Sequence, residues 1–334
     1  MFLSVSARFL VNVEALNMVE SVGNVVRHRR APIIVPSQDR NGYVLVYTPV
    51  ISGESLANAY QRWLAELAKQ EKLPVCSNCE KAFFVKHGDP EVFGEFPWEK
   101  NLRKNMEKLD FHEIETEIVK NCVVEDVGGF LLPETKPVKR TSKFQVGFMV
   151  PAYDQIRKSA LEAQFHVRYA PDPAKHSIYY VELGSALYTF HFNIELDNIG
   201  YITMVKRESV VDEDERLKRL KVTVKALAHM LENRLFGAHL SRHNPITDLR
   251  SLIAVVSEPL PFTSSLAHER CYLEETLKRA KDFSKIVEDE KIHGWYINRE
   301  GLKVEEVKEE RISLSKAETV SEVFQKIVEY ITKK

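Results

Sequence analysis

From Phe2 to Ala15 the chain alternates without a break. Leu3, Val5, Ala7, Phe9, Val11 and Val13 take one side, and Ser4, Ser6, Arg8, Leu10, Asn12 and Glu14 take the other. A period of two sustained this long describes an extended strand with one apolar face. The fold must therefore contain a sheet that buries that face, and the mainly polar face is expected to meet a ligand or water.

Other segments add to the sheet. Tyr188, Phe190, Phe192, Ile194 and Leu196 share a side and read as core, and Leu252 to Val256 reads as a short buried strand. Pro32 to Val35 and Tyr43 to Val50 form a hairpin turned at Asp39 to Gly42, and Gly294 to Val304 is strand-like. Helical spacing starts at Ser52 and runs to Lys72 through Leu56, Tyr60, Trp63, Leu64 and Leu67. It recurs near Pro97 to Leu109, over Asp212 to Phe236, and over Tyr272 to Lys291 and Thr319 to Ile331. The stretch from Leu73 to Leu132 loses strand alternation and reads as an insertion. The order strand, helix, insertion, strands, helix, strand gives an α+β class on the split βαβ plan of ferredoxin-like and RNA-recognition folds, whose sheet can offer one open face.

A second alternation lies at Pro133 to Tyr169. A basic lead-in carries Lys136, Lys139, Arg140 and Lys143; Phe144, Val146 and Phe148 then share a side, and Pro151 ends the run. Ala163, Phe165, Val167 and Tyr169 alternate with Gln164, His166 and Arg168. Two such runs predict a ribbon with cations and amides on one face and Phe148, Met149 and Val150 at its base, which suits a nucleic acid strand. The same pattern also serves a hairpin that covers a core and wets its outer side.

Arg27-His28-Arg29-Arg30, preceded by Asn24, is a candidate rim for phosphates or a solvated charge run. Ser52-Gly53 opens a helix, where a phosphate could sit or the serine could simply cap. At 334 residues the chain can bury a full core, and its 44% apolar and 28% charged content is that of a globular protein. A net charge of −1 argues against coating nucleic acid over the whole surface but leaves room for a local groove. No apolar run approaches the roughly 20 residues that span a bilayer, and the N-terminus shows no charged leader followed by an apolar stretch and a small-residue cleavage site, so no membrane partner is expected and the cytoplasm is the expected compartment.

Cys76 and Cys79 form a CxxC. A zinc site needs two more ligands, and Cys122, Cys271, His87 and His112 stand at no recognisable spacing, so no metal site and no cofactor is assigned. The phosphate-binding GxxxxGK, the GxSxG elbow, HExxH and GxGxxG are all missing, which makes enzyme the weaker class.

Taken in order, several pieces resemble one family. They are Leu3 to Val13 followed by Asn17 to Arg30, Pro49-Val50-Ile51-Ser52-Gly53-Glu54, Asp126-Val127-Gly128-Gly129-Phe130, Lys139-Arg140-Thr141-Ser142, Gly147-Phe148-Met149-Val150-Pro151 and Ala163-Gln164-Phe165-His166-Val167-Arg168. Together they are similar to the DevR-like, CRISPR-associated backbone subunit of archaeal type I-A Cascade. The resemblance implies a modified RRM-like palm over 1–72 and 164–270, a helical finger insertion over 73–135, a β-hairpin thumb over 136–163 and a C-terminal extension over 271–334. It implies that copies line up along guide RNA (crRNA) beside other type I-A Cascade subunits, meet target DNA through the guide, and bind rather than cut. Carried onto this chain, Phe148, Met149 and Val150 would wedge into RNA. Gln164, His166 and Arg168 would lie on the palm, and Asn24, His28, Arg29, Ser52, Gly53, Lys139 and Arg140 would meet phosphates. Against this stand a DNA-binding regulator and a metal-dependent nuclease.

Overall fold

The alternating segment at the start of the chain becomes β1 (Phe2–Glu14), and it has partners on both edges. Leu3 lies opposite Ile194 on one side and Val256 on the other, both antiparallel. The computed structural model describes residues 1–37, 41–133 and 137–333. Lys136 and the Asp39 turn lie outside the described residues.

Two hairpins follow, β2 (Met18–Val22) with β3 (Val25–His28) and β4 (Arg30–Pro36) with β5 (Tyr43–Pro49). Next come α1 (Gly53–Gln70), α2 (Ser77–Glu80), α3 (Pro97–Asn105), α4 (Phe111–Asn121) and α5 (Val123–Gly128). Short strands β6 (Phe130–Leu132), β7 (Val138–Arg140), β8 (Phe144–Val146) and β9 (Val150–Pro151) lead into β10 (Ala160–Arg168) and β11 (Ser177–Glu195). The rest is β12 (Tyr201–Ile202), β13 (Glu208–Ser209), α6 (Glu213–Asn233), β14 (Ile246–Glu258), α7 (Tyr272–Ile286), β15 (Lys291–Asn298), β16 (Val307–Lys308), β17 (Ile312–Lys316) and α8 (Val320–Thr332).

A mixed sheet organises these elements. Its order is β16-β17-β15-β14-β1-β11-β3-β2, with β8, β9 and β10 also on β11. Most pairs are antiparallel; β3 with β11 and β15 with β17 are parallel. Leu3, Val5, Phe9, Phe190 and Phe192 face one core with Leu56, Tyr60 and Leu64 of α1, Leu227 and Leu231 of α6, and Val323 and Ile327 of α8. The helical stripes expected from Ser52 and Asp212 thus form the layer over one side of the sheet.

The polar face of β1 is not open. Ser4, Ser6 and Arg8 are as buried as their apolar neighbours. Ser4 and Ser6 hydroxyls meet Ser264 Oγ at 3.0 and 2.8 Å. Arg8 lies 2.9 Å from Asp154 and 3.1 Å from Glu300, and it donates to the Ala267 carbonyl. Beyond it, Ile253, Val255, Ile292 and Leu314 pack against Leu273 and Leu277 of α7. Both sides of the sheet centre are covered, because polar residues that satisfy one another can be buried as readily as apolar ones.

The ribbon also differs from expectation. Lys143 to Val150 does not pair with Ala163 to Tyr169. Instead β8 and β9 pair with the distal half of β11 (Phe144 opposite Ile194, Val150 opposite Thr189), while β10 pairs with its first half, from Ala160 opposite Ser185 to Arg168 opposite Ser177. Alternation identifies a strand without naming its partner; the long apolar register of β11 takes both. The projecting hairpin is therefore β10–β11, turned between residues 169 and 176.

Candidate nucleic-acid interface

Only the far half of β11 lies in the core, so β10 stands out with both faces wet. Because cross-strand partners share a face, Gln164, His166 and Arg168 line up with Val181, Tyr179 and Ser177, while Phe165 and Val167 line up with Tyr180 and Ile178. Gln164 and Arg168 are exposed. The His166 ring stacks on Tyr179 at 5.2 Å and meets His243 edge-on at 5.8 Å, and His239 lies 6.3 Å beyond. Among the described residues, the buried Nε2 of His166 has no hydrogen-bond partner. Burial, then the neighbouring His166, His239 and Arg242, lowers the His243 pKa, as a patch crowded with potential cations must.

The opposite face is aromatic. Phe165 is 56% exposed with its edge toward Tyr180 at 5.6 Å, and Tyr169 at the turn is 83% exposed. One arm thus carries donors on one side and stacking surfaces on the other, the two ingredients of single-strand binding.

At the base of the arm, β3 runs parallel to β11, with Val25 opposite Tyr180. Asn24 is exposed at the β2–β3 turn, and its carbonyl accepts from Tyr180 N at 2.7 Å. Arg29 is half-buried, and its Nε has no hydrogen-bond partner among the described residues. His28 is not at the rim: its ring is buried 2.7 Å from Glu14. The alternation of β3 turns Arg27 outward and His28 inward.

Four more expected site residues are inside the chain. Arg140 is 4% exposed and spends its guanidinium on Asp126, Glu115 and the carbonyls of Tyr201 and Asn198. Ser52 is buried as the cap of α1, its hydroxyl accepting from Ser55 N at 3.3 Å and its amide donating to Asn17 Oδ1 at 2.7 Å. Met149 is fully buried, exchanging backbone hydrogen bonds with Ile51, and Val150 is nearly so on β9. Of the expected wedge only Phe148 is exposed. A Cβ on Gly53 would come within 2.8 Å of the Val146 carbonyl, so the glycine serves close packing of strand on helix. Lys139 remains exposed on β7. Tyr179, His239 and His243 lie beside His166 without being among the expected site residues; the four-residue spacing of the two histidines is visible in the sequence but names no partner.

A second cluster is buried beneath the insertion. Sγ of Cys76, Cys79 and Cys122 and a carboxylate oxygen of Glu125 all lie within 4.8 Å of one another. The expectation of no metal site rested on spacing, and Glu125 was not among the ligands considered.

The family model described as "CRISPR-associated negative auto-regulator DevR/Csa2" matches residues 5–277. The "CRISPR-associated aCascade subunit Cas7/Csa2 2" of Saccharolobus solfataricus is 38% identical over 312 residues, covering 91% of this chain and 94% of that one. The chain belongs to the DevR/Csa2 family. A further relative, "CRISPR-associated protein Cas7/Cst2/DevR" of Methanocaldococcus jannaschii, is 27% identical over 91% of this DevR/Csa2 chain and 94% of its own length. Among solved structures, a chain of "CRISPR RNA-guided surveillance complex, pre-nicking" superposes with a TM-score of 0.54 at 11% identity, covering 99% of this chain and 100% of that one. Another, from "CRISPR RNA-guided surveillance complex", gives 0.53 at 10% identity, covering 99% of each chain. At such identities the likeness is one of fold, and the DevR/Csa2 fold is a mixed α and β structure on a large mixed sheet.

Proposed function

We propose that this DevR/Csa2 chain is a multi-copy crRNA-binding backbone subunit of a type I-A Cascade surveillance complex. In the cytoplasm it oligomerises along guide RNA and supports target DNA recognition in antiviral defence. One observation carries the reading: the β10–β11 arm offers Gln164, His166 and Arg168 on one face and Phe165, with Tyr169 at its tip, as stacking surface. Kinship to a chain described as an aCascade subunit supports it.

In this reading residues 1–72 and 164–270 make an RRM-like palm, 73–135 a finger and 271–334 an extension on the palm. The thumb role moves from 136–163 to the β10–β11 arm. Asn24, Arg29, Lys139, Gln164, His166 and Arg168 are the phosphate-side set, and Phe148, Phe165 and Tyr169 the stacking set. Cations and rings hold backbone and base faces without reading letters, so base edges stay free to pair with target DNA. The chain binds rather than cuts.

The test is titration of the full chain with single-stranded RNA of increasing length, with mass measured by light scattering. Mass should rise stepwise with RNA length, and affinity should fall as salt is raised. No RNA binding at low salt, or tighter binding to one duplex promoter than to RNA, would replace this reading with the regulator that the family description names.

A further inference from the structure

Two chain segments far apart in sequence bring matching pairs of donors together. Cys76 caps α2, and its sulfur accepts from the Cys79 amide at 3.5 Å, which curls the CxxC so that both sulfurs converge. Cys122 stands at the same position before α5, and Glu125 follows it by the same three residues. The second half of the pattern is thus CxxE rather than CxxC. The two halves are docked by Val123 N donating to the Pro74 carbonyl at 2.9 Å.

The four donor groups are buried, and all three cysteines are free. Cys76 and Cys79 lie 3.3 and 3.8 Å from Glu125 Oε1, while His87 Nδ1 lies 2.6 Å from Glu125 Oε2. Lys86 Nζ donates to the Gly128 carbonyl at 2.7 Å on the same side of the insertion. Buried groups of this kind are paired or coordinate a metal, and one divalent cation at the centre of the four converging donors would engage them all.

We propose that Cys76, Cys79, Cys122 and Glu125 hold one structural zinc ion, with His87 fixing the far oxygen of the carboxylate. Three thiolates select a soft cation over magnesium or calcium. With Zn–S at about 2.3 Å, the edges of a tetrahedron are roughly 3.8 Å, so the observed 4.8 Å envelope needs only a small contraction. Four protein ligands in a solvent-free site leave no open position for a substrate, which makes the ion a staple rather than a catalyst. It clamps the loop after Pro74 to the start of α5, where Cys76, Cys79 and Cys122 already pack with Leu64 and Ala68 of α1. Glu125 bonded to His87 is the carboxylate–histidine pairing that orients metal ligands elsewhere. The inference stands whether or not the chain binds RNA.

The experiment uses the full chain purified without chelator. Elemental analysis should find about one zinc per chain, as a closed four-ligand site requires. After metal removal, adding cobalt(II) should produce an intense visible spectrum, absent in the zinc form, with a thiolate-to-cobalt charge-transfer band in the near ultraviolet. Cys122→Ser should lose metal, Cys271→Ser should keep it, and His87→Ala should weaken metal affinity about 10- to 100-fold. Should Cys122→Ser fail to fold, the cobalt spectrum of the unaltered chain still decides. Absence of zinc together with a featureless cobalt spectrum overturns the proposal, and so does full zinc content in folded Cys122→Ser.

Discussion

Asp126 Oδ2 accepts a hydrogen bond from Arg219 Nη1 at 2.8 Å, and neither side chain touches solvent. The other oxygen of Asp126 takes Arg140, and Oδ2 also accepts from Gly200 N at 2.9 Å. One carboxylate thereby joins α5, β7, α6 and the turn before β12. Removing it leaves two buried guanidinium groups short of an anion. Asp126→Ala should cost about 3–5 kcal/mol, the usual loss when one partner of a buried pair is deleted. Glu215→Ala, whose carboxylate is partly exposed, should cost clearly less. Denaturant midpoints for the two variants check the ranking.

His28 supplies a pH signature. Burial opposes its charged form, but Glu14 beside Nε2 and the Arg29 carbonyl at Nδ1 outweigh it and raise its pKa above that of an ordinary histidine. A raised folded-state value means that the stabilisation is complete below the unfolded pKa of about 6.5 and is lost as pH rises through the folded value. The stability advantage of the unaltered chain over His28→Gln should thus be largest on the acid side and shrink toward alkaline pH. Urea midpoints across that window measure it, and a constant difference would remove the charged pair from the account.

The arm makes a prediction about binding. Replacing Gln164, His166 and Arg168 together by alanine should weaken RNA binding without lowering the thermal midpoint, since the two flanking side chains are exposed and none anchors the core. Arg168→Ala alone should reduce the magnitude of the salt slope by about 0.7, the share of one phosphate contact on a single strand. Phe165→Ala should cost about 1–3 kcal/mol of RNA affinity if a base stacks there. Fluorescence anisotropy at several salt concentrations reads all three, and an unchanged affinity in the triple variant would remove the arm from the interface.

Two glycines separate packing from binding. Gly53→Ala drives a methyl against the Val146 carbonyl and should destabilise by about 1–3 kcal/mol, as overpacking does. At Gly147 a Cβ meets nothing within 4 Å, so Gly147→Ala should leave the melting midpoint nearly unchanged. Calorimetry without RNA tests the pair.

Much of the architecture was legible because it rests on periodicity. β1, α1 and α6 announced themselves through alternation, helical stripes and caps, and each lies where its pattern put it. What periodicity cannot convey is which partner a polar residue finds. Ser4, Ser6 and Arg8 look like a wet face until Ser264, Asp154 and Glu300 arrive from the far end of the chain. Arg140 sits in a basic run and looks solvated until Asp126 and Glu115 enclose it. The ribbon failed for a related reason: β8, β9 and β10 each alternate correctly, yet all three choose β11. The cysteine cluster was hidden by a separation of 46 residues between Cys79 and Glu125 and by a carboxylate in the fourth position.

β11 has a mechanical consequence. It runs from Ser177 to Glu195 as one strand, laddered to β10 up to Ser185 and to β1 from Gly184 onward, so the two supports overlap with no joint between them. Such a member is a cantilever whose root is the middle of the sheet. A load taken up at Tyr169 is delivered as a bending moment to Tyr188 and Phe190, and seizing the tip should stiffen the interior. Amide exchange along Tyr188 to Ile194 would then slow when the distal end is clamped, although nothing has touched the root.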